Sequence, residues 1–290
     1  MKTLREYIVS AKENGVAIGH FNISNIEALH GIYNAAQKLN VPVIIGVSEG
    51  EEEFIGRDEV AVLVKEIREK DNFPIFLNAD HHYSFESVKN ALGAGYDAAI
   101  IDAVKLPLEE NIALTKKCVE YAKELGTKEG RDILIEAELG FIGQSSKLLE
   151  EIPEGISEAT MTKASDAKYF ADQTGIDLLA PSVGNIHGMV KGGNPRLDIE
   201  RIKEISKETG MPLVLHGGSG IADVDFTNAI KAGINIIHIN TEIRVAYKEA
   251  LEKYLSENPK EVAPYKILKP AVEAIEAVVE GRLKLFNGIR

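Results

Sequence analysis

Short runs rich in β-branched residues alternate with longer amphipathic runs along almost the whole chain, eight times over. No other feature restricts the fold as strongly. Residues 16–22, 41–47, 74–78, 97–102, 132–138, 176–183, 211–216 and 234–239 read as strands. Residues 26–39, 58–70, 85–94, 109–125, 164–174, 198–209 and 223–232, and a stretch opening at Thr241, read as the helices between and after them. A further helix, around 264–285, follows. Strand–helix units in unbroken succession bury both faces of a parallel sheet. Eight of them predict an α/β fold: a closed (β/α)8 TIM barrel with an additional C-terminal helix, one catalytic domain over residues 1–290. Gly15, Gly95, Gly126, Gly175, Gly210 and Gly233 each precede a strand, where helix-ending glycines belong. The rival is an open doubly wound sheet, but no GxGxxG follows the first strand.

Bulk properties remove several functions. A net charge of −12 argues against general nucleic-acid binding and against docking on anionic lipid. An anionic substrate stays open, because a site can be locally positive in an acidic protein. No apolar run is long enough to span a bilayer, and the charged start MKTLREYIVSAKENG has no signal-peptide core. The one cysteine, Cys118, allows no internal disulfide and reads as a buried apolar residue. These features lead us to expect a cytoplasmic protein.

In a barrel of this kind, chemistry gathers at the C-terminal ends of the strands. His20, His81, His82, His187, His216 and His238 all fall at or just past strand ends; only His30 lies well inside a helix. Catalytic zinc takes three protein ligands and keeps one position open. His81, His187 and His216, each from a different strand end, can surround one point. One such histidine alone would read as an ordinary hydrogen-bonded pocket residue. Asp80 adjoins His81, either as its partner or as a general acid/base. Asp102 ends the fourth strand. Glu136 and Glu138 share one face of the fifth and point either to the mouth or to a structural ion pair.

Glycine-rich segments complete the pattern. His187-Gly188 leads through Lys191 to Gly192-Gly193, and Gly217-Gly218-Ser219-Gly220 follows His216. Asn240-Thr241 opens a helix after the last strand. Small residues let backbone N–H groups approach an anion, and the helix start adds a favourable dipole. Lys191 adds charge, and Ser219 and Thr241 add hydroxyls.

These segments resemble class II (zinc-dependent) fructose/tagatose-bisphosphate aldolases. The resemblance rests on Pro212 to Gly220, Asp80-His81-His82, Glu136 to Gly140, Gly184 to Gly188 and Asn240-Thr241-Glu242. Phe21-Asn22 and Val43 to Gly50 extend it, in order, over nearly the whole chain. It implies reversible cleavage of a ketose bisphosphate, fructose 1,6-bisphosphate first, to glycerone phosphate and glyceraldehyde 3-phosphate. It implies one zinc ion on His81, His187 and His216, and Asp80 as the acid/base at the C4 hydroxyl. Gly188, Lys191, Gly217, Ser219, Asn240 and Thr241 would cradle glycerone phosphate, with a monovalent cation nearby, and Asn22 and Ser48 would contact substrate. A homodimer or homotetramer in glycolysis and gluconeogenesis is the matching expectation.

The chain departs from that pattern in four places. The Gly-Gly-x-Glu-Asp loop is replaced by Gly140 to Glu151, so Glu150 or Glu151, or Ser145/Ser146 with a water, would replace its carboxylate. His238 stands for an Asn, Asn78 for a frequent His, and Lys266 for the Arg that grips the distal phosphate. The alternatives are a metal-dependent aldolase or epimerase on another ketose phosphate, a Schiff-base aldolase on Lys105, and a non-catalytic sugar-phosphate binder.

Overall fold

The computed structural model describes residues 1–143 and 147–289. Helix α1 (Leu4–Asn14) precedes β1 (Ile18–Asn22), α2 (Ile26–Leu39) and β2 (Val43–Ser48). Then come α3 (Glu49–Ile55), α4 (Arg57–Asp71), β3 (Ile75–His82), α5 (Phe85–Gly93) and β4 (Ala98–Ile101). After α6 (Leu108–Glu129) and β5 (Leu134–Leu139), a short β6 (Leu148–Leu149) leads to α7 (Ala164–Thr174) and β7 (Leu178–Pro181). A second short strand, β8 (Met189–Val190), precedes α8 (Ile199–Thr209), β9 (Leu213–Leu215) and α9 (Asp223–Ala232). The chain closes with β10 (Ile234–Ile239), α10 (Thr241–Glu257) and α11 (Pro264–Phe286).

Eight parallel strands close in the circular order β1-β10-β9-β7-β5-β4-β3-β2, which is the (β/α)8 barrel. β6 and β8 lie outside it as a two-stranded ribbon. Helix α11 returns to the start of β1, where the Ala17 amide donates to the Phe286 carbonyl at 3.1 Å.

Some boundaries differ from the sequence expectation, for local reasons. Helices α1 and α3 had not been anticipated. Each opens with a capping box, Thr3 with Glu6 and Ser48 with Glu51, in which side chain and backbone satisfy each other's free groups. Gly126 lies inside α6, which runs on to a left-handed Gly130. Asn40 and Asn72 end α2 and α4 in the same left-handed conformation.

Strand alternation sorts the barrel interior into layers. The lowest layer holds Ile18, Ile44, Phe76, Leu134 and Ile236; Leu4, Ile8 and Ala11 of α1 pack onto it and close that end. Two residues further along, the layer turns polar: His20, Gly46, Asn78, Glu136 and His238. His20 and His238 are register partners across β1 and β10, so their rings are side by side. They stack with centroids 3.5 Å apart and planes 3° from parallel. The His20 ring fills the space a side chain at position 46 would need: a Cβ on Gly46 would lie 2.7 Å from His20 Nε2.

That packing gives a direct test. Gly46→Ala should cost about 1–3 kcal/mol, the usual penalty of overfilling a core. In a His20→Ala background the same change should cost far less. Denaturant midpoints of the four proteins measure the coupling. Equal costs in both backgrounds would show that the two residues do not share this space.

Candidate metal centre and substrate cleft at the barrel mouth

The end of β3 makes the site possible. His81 has a φ of 104°, in the left-handed region, and the β3–β4 register shifts between Ala79 and His82. This bulge breaks the alternation, so Asp80 and His81 both reach the mouth. His82 is turned outward instead. It is fully buried against α5, where Nδ1 hydrogen-bonds Ser87 Oγ.

His81 meets His187, from the loop after β7, and His216, just past β9. Their ring centroids lie 5.1 Å and 4.9 Å from that of His81. One ligand atom from each of His81, His187, His216 and Glu138 falls within 4.8 Å of the others. Each imidazole is held through its other nitrogen. His81 Nδ1 lies 3.3 Å from Asp102 Oδ2, His187 Nδ1 3.0 Å from the Gly143 carbonyl, and His216 Nε2 2.6 Å from Glu136 Oε1. Such partners fix ring orientation and raise ligand basicity.

The charge balance of this cluster favours positive charge among its carboxylates. Asp80, Glu136 and Glu138 are buried, and Asp102 is largely so. Burial works against a proton on His81, but Asp80 and Glu138 raise its pKa to about 9. His216 is likewise held well above its ordinary value, because Glu138 and Glu136 outweigh burial. In return, His216 and His81 bring Glu138 down to about 2, against the effect of burial. Glu138 Oε1 and His216 Nδ1 lie only 2.5 Å apart, and both are buried. Buried donor atoms facing one another, three imidazoles and a carboxylate, fit a divalent metal.

Above this cluster opens a cleft of about 260 Å³. Of the residues singled out in the sequence, Asn22, Ser48, Asp80, His81, His187, Gly188, Gly217, Ser219, Asn240 and Thr241 line it, as does His238. His216 lies buried beneath. Ser219 Oγ accepts from the Asn240 and Glu242 amides, both at 3.2 Å, which ties the loop after β9 to the start of α10. Asn240 Oδ1 is buried and without a partner. Gly217 must be glycine: its φ is 62° and a Cβ would collide with the Ile186 backbone.

Other sequence candidates are not brought into the cleft. Glu150 and Lys191 pair with each other at 3.4 Å, with side chains 82% and 80% exposed. Glu151 is exposed. Lys266 pairs with Glu261 at 3.0 Å. Lys105 is exposed, over the Tyr83 ring. Ser145 and Ser146 lie outside the described residues.

Sequence reading missed three residues here. Tyr83 and Arg244 line the cleft, and Arg244 is the only Lys or Arg to do so among the described residues. Glu51 organises this wall. Its Oε2 accepts from Asn22 Nδ2, the Ser48 amide and Ser48 Oγ, each at 2.9 Å, while Oε1 holds Arg244 at 2.5 Å. The Ser48–Glu51 capping spacing was readable; the reach from α10 was not. Asp80 also joins this wall through Oδ2, 2.6 Å from Asn22 Nδ2. Burial tends to raise its pKa, but His81, His238 and His20 hold it well below the carboxylate range.

Two measurements test these electrostatics. The raised pKa values of His81 and His216 favour a proton on each ring at pH 7 in metal-free protein. Adding a divalent cation should therefore release about two protons per chain, because ligating imidazoles must be neutral. Calorimetry in buffers of different ionisation enthalpy reads this, and zero release would refute the assignment. Burial lowers His20 to about 4, outweighing the nearby Asp80. Its contribution to stability is present above pH 6.5 and is lost as pH falls through 4. The NMR titration of its ring should have a midpoint near pH 4 rather than 6.5.

Comparison with known proteins agrees with this geometry. Residues 2–289 match the model of the family described as fructose-bisphosphate aldolase class-II. The fructose-bisphosphate aldolase of Staphylococcus aureus (strain Mu50) is 39% identical over 288 residues, covering 98% of this chain and 96% of that one. The probable fructose-bisphosphate aldolase of Bacillus subtilis (strain 168) is also 39% identical, with 98% and 97% covered. Among solved structures, the YdjI aldolase of Escherichia coli K12 superposes with a TM-score of 0.83 at 31% identity, over 98% and 96% of the two chains. The chain belongs to the class II fructose-bisphosphate aldolase family, and is an aldolase, a lyase of carbon–carbon bonds.

Proposed function

We propose that this aldolase is zinc-dependent and reversibly cleaves fructose 1,6-bisphosphate to glycerone phosphate and glyceraldehyde 3-phosphate, as one catalytic domain over residues 1–290. The observation that carries the reading is the convergence of His81, His187, His216 and Glu138 beneath the cleft. The three histidines would hold the ion. A divalent cation there supplies positive charge that stabilises the negative charge left on the three-carbon half when the C3–C4 bond breaks. A monovalent cation beside the unpartnered Asn240 Oδ1 is part of the same proposal.

The residues of this chain do the rest. Asp80 stands beside the ligands, ionised, and takes the proton of the C4 hydroxyl as the bond breaks. Asn22 fixes that carboxylate and is itself fixed by Glu51. Gly188, Gly217, Ser219, Asn240 and Thr241 line the cleft and receive the phosphate of the three-carbon half at the start of α10. Remote binding of that phosphate aligns the reacting carbons. Ser48 and Arg244 face the aldehyde half, and Arg244 supplies the positive charge expected of Lys266.

The acidic surface and single buried thiol suit a cytoplasmic role in glycolysis and gluconeogenesis. Among the described residues no helix is long and apolar enough to cross a membrane. Exposed Val262 and Tyr265, at the start of α11, suit contact with a second copy in a homodimer or homotetramer.

His216→Ala should lose bound metal and cleavage together. Asp80→Ala should keep its metal, measured by elemental analysis, and lose at least about 100-fold in kcat, the usual weight of a positioned acid/base. A fully active Asp80→Ala protein would refute the assigned role. A coupled assay with fructose and tagatose 1,6-bisphosphates, with and without chelator, tests substrate and metal.

A further inference from the structure

Two helices, α3 and α4, join β2 to β3, where a barrel of this kind needs only one. The extra helix, α3, opens with the glutamates Glu49, Glu51 and Glu52. Glu51 and Glu52 are buried, which is rare for glutamate unless it is paired. Glu51 faces the cleft. Glu49 and Glu52, three positions apart and therefore on one side of the helix, face the end of β3 instead. We infer that α3 is a bracket for the segment Asp80–Tyr83, and that Glu52 is a positioning residue that acts through His82 on His81. This inference rests on the metal-centre reading above, which makes His81 a ligand.

The segment needs such support. His81 has a φ of 104°, which residues with a side chain rarely adopt, and it relaxes unless both neighbours are fixed. The Asp80 side is fixed from within the cleft. Glu51 Oε2 accepts from Asn22 Nδ2 at 2.9 Å, and that nitrogen also lies 2.6 Å from Asp80 Oδ2. The other side is fixed from behind. The fully buried His82 ring contacts Ser87 Oγ of α5 through Nδ1, while its Nε2 lies 3.6 Å from Glu52 Oε1. Glu52 is itself anchored: Oε2 accepts from Arg57 Nε at 2.8 Å, and its side chain is 3% exposed. One residue further, the Tyr83 amide donates to Glu49 Oε1 at 3.2 Å. The His82 carbonyl accepts from the Asp102 amide at 2.9 Å, and Asp102 is the residue that orients His81 through Nδ1.

Packing alone does not call for a carboxylate at position 52. A buried charge is costly to desolvate, and an apolar side chain of similar volume fills such a space at least as well. What the carboxylate adds is direction. With Ser87 on one nitrogen and Glu52 near the other, the His82 ring cannot turn without leaving both. Any shift of His82 passes to His81 through a single peptide bond. Metal sites tolerate ligand displacements of only about 0.2 Å, so a residue two steps removed from the ion can set its affinity. The two sides of α3 thus hold consecutive residues of one strand end: Glu51 steadies Asp80, and Glu52 steadies His81.

The test measures zinc binding to the folded, metal-free full chain by competition with a chromophoric chelator. Glu52→Ala should weaken zinc binding at least about tenfold, the lower end of the usual cost of losing a partner behind a ligand, and a smaller loss overturns the bracket. Thermal melting of the metal-free proteins separates this from a purely structural role, which would lower the melting temperature and leave the zinc affinity of folded protein unchanged. Glu52→Gln keeps an oxygen facing His82 and should stay within about threefold of the unaltered chain; a loss as large as that of the alanine protein overturns the contact with His82 as the cause. Glu53→Ala, an exposed neighbour on the same helix, should bind zinc like the unaltered chain, and a matching loss there overturns the assignment to Glu52. Should Glu52→Ala fail to fold, Ser87→Ala removes the other hold on the His82 ring and decides in its place, with zinc binding weakened at least about threefold expected and a smaller loss overturning the bracket. If the unaltered chain binds no zinc, the metal-centre reading falls and the bracket with it.

Discussion

Four carboxylates and three imidazoles crowd together at the C-terminal end of this barrel, most of them buried. That imbalance of charge governs the site. Buried carboxylates at such separations cannot all ionise unless positive charge lies among them. In the protein alone, protons on His81 and His216 supply it. A divalent ion would supply it better, because it can sit between the donors. The closely opposed Glu138 Oε1 and His216 Nδ1, 2.5 Å apart, are the tightest ion pair of the cluster.

The surrounding structure serves this centre. Helix α1 seals the lower end with an apolar layer, which leaves one open end for substrate. The polar middle layer holds the histidines from below. His238 is stacked between His20 and His216, with centroid distances of 3.5 and 4.2 Å. Gly46 makes room for that column by having no side chain. The bulge at His81 brings two consecutive residues into the mouth, at the cost of an unfavourable backbone angle. Such strain persists where neighbouring contacts fix the geometry, here the Asp102 contact and the packing of His82 against α5.

The cleft is asymmetric. On one side, glycines and the start of α10 offer backbone N–H groups and hydroxyls, as a phosphate requires. On the other, Glu51 gathers Asn22, Ser48 and Arg244 into a rigid polar wall. One buried carboxylate thus ties together β1, β2 and α10, and through Asn22 it also orients Asp80. Asp80, beside the histidine cluster, and the Arg244 side of the cleft are joined by this chain of hydrogen bonds.

Much of this was legible in the residues alone. Eight strand–helix alternations have one compact closed solution, so the barrel followed from periodicity. His81, His187 and His216 stood out because strand ends in a parallel barrel converge on one face. Backbone rules of this kind act locally and leave a pattern in the sequence. Arg244, Tyr83 and Glu51 could not be ranked that way, since nothing local shows that a helix following β10 reaches a carboxylate following β2. The displaced Glu150, paired with Lys191 across the β6–β8 ribbon, is a similar case: a two-residue strand has too little pattern to be seen. The sequence by itself determined the fold and the three histidines that converge at the barrel mouth, because both depend on spacing. Tertiary structure alone decided which charges line the cleft, because that depends on distances between segments far apart in the chain.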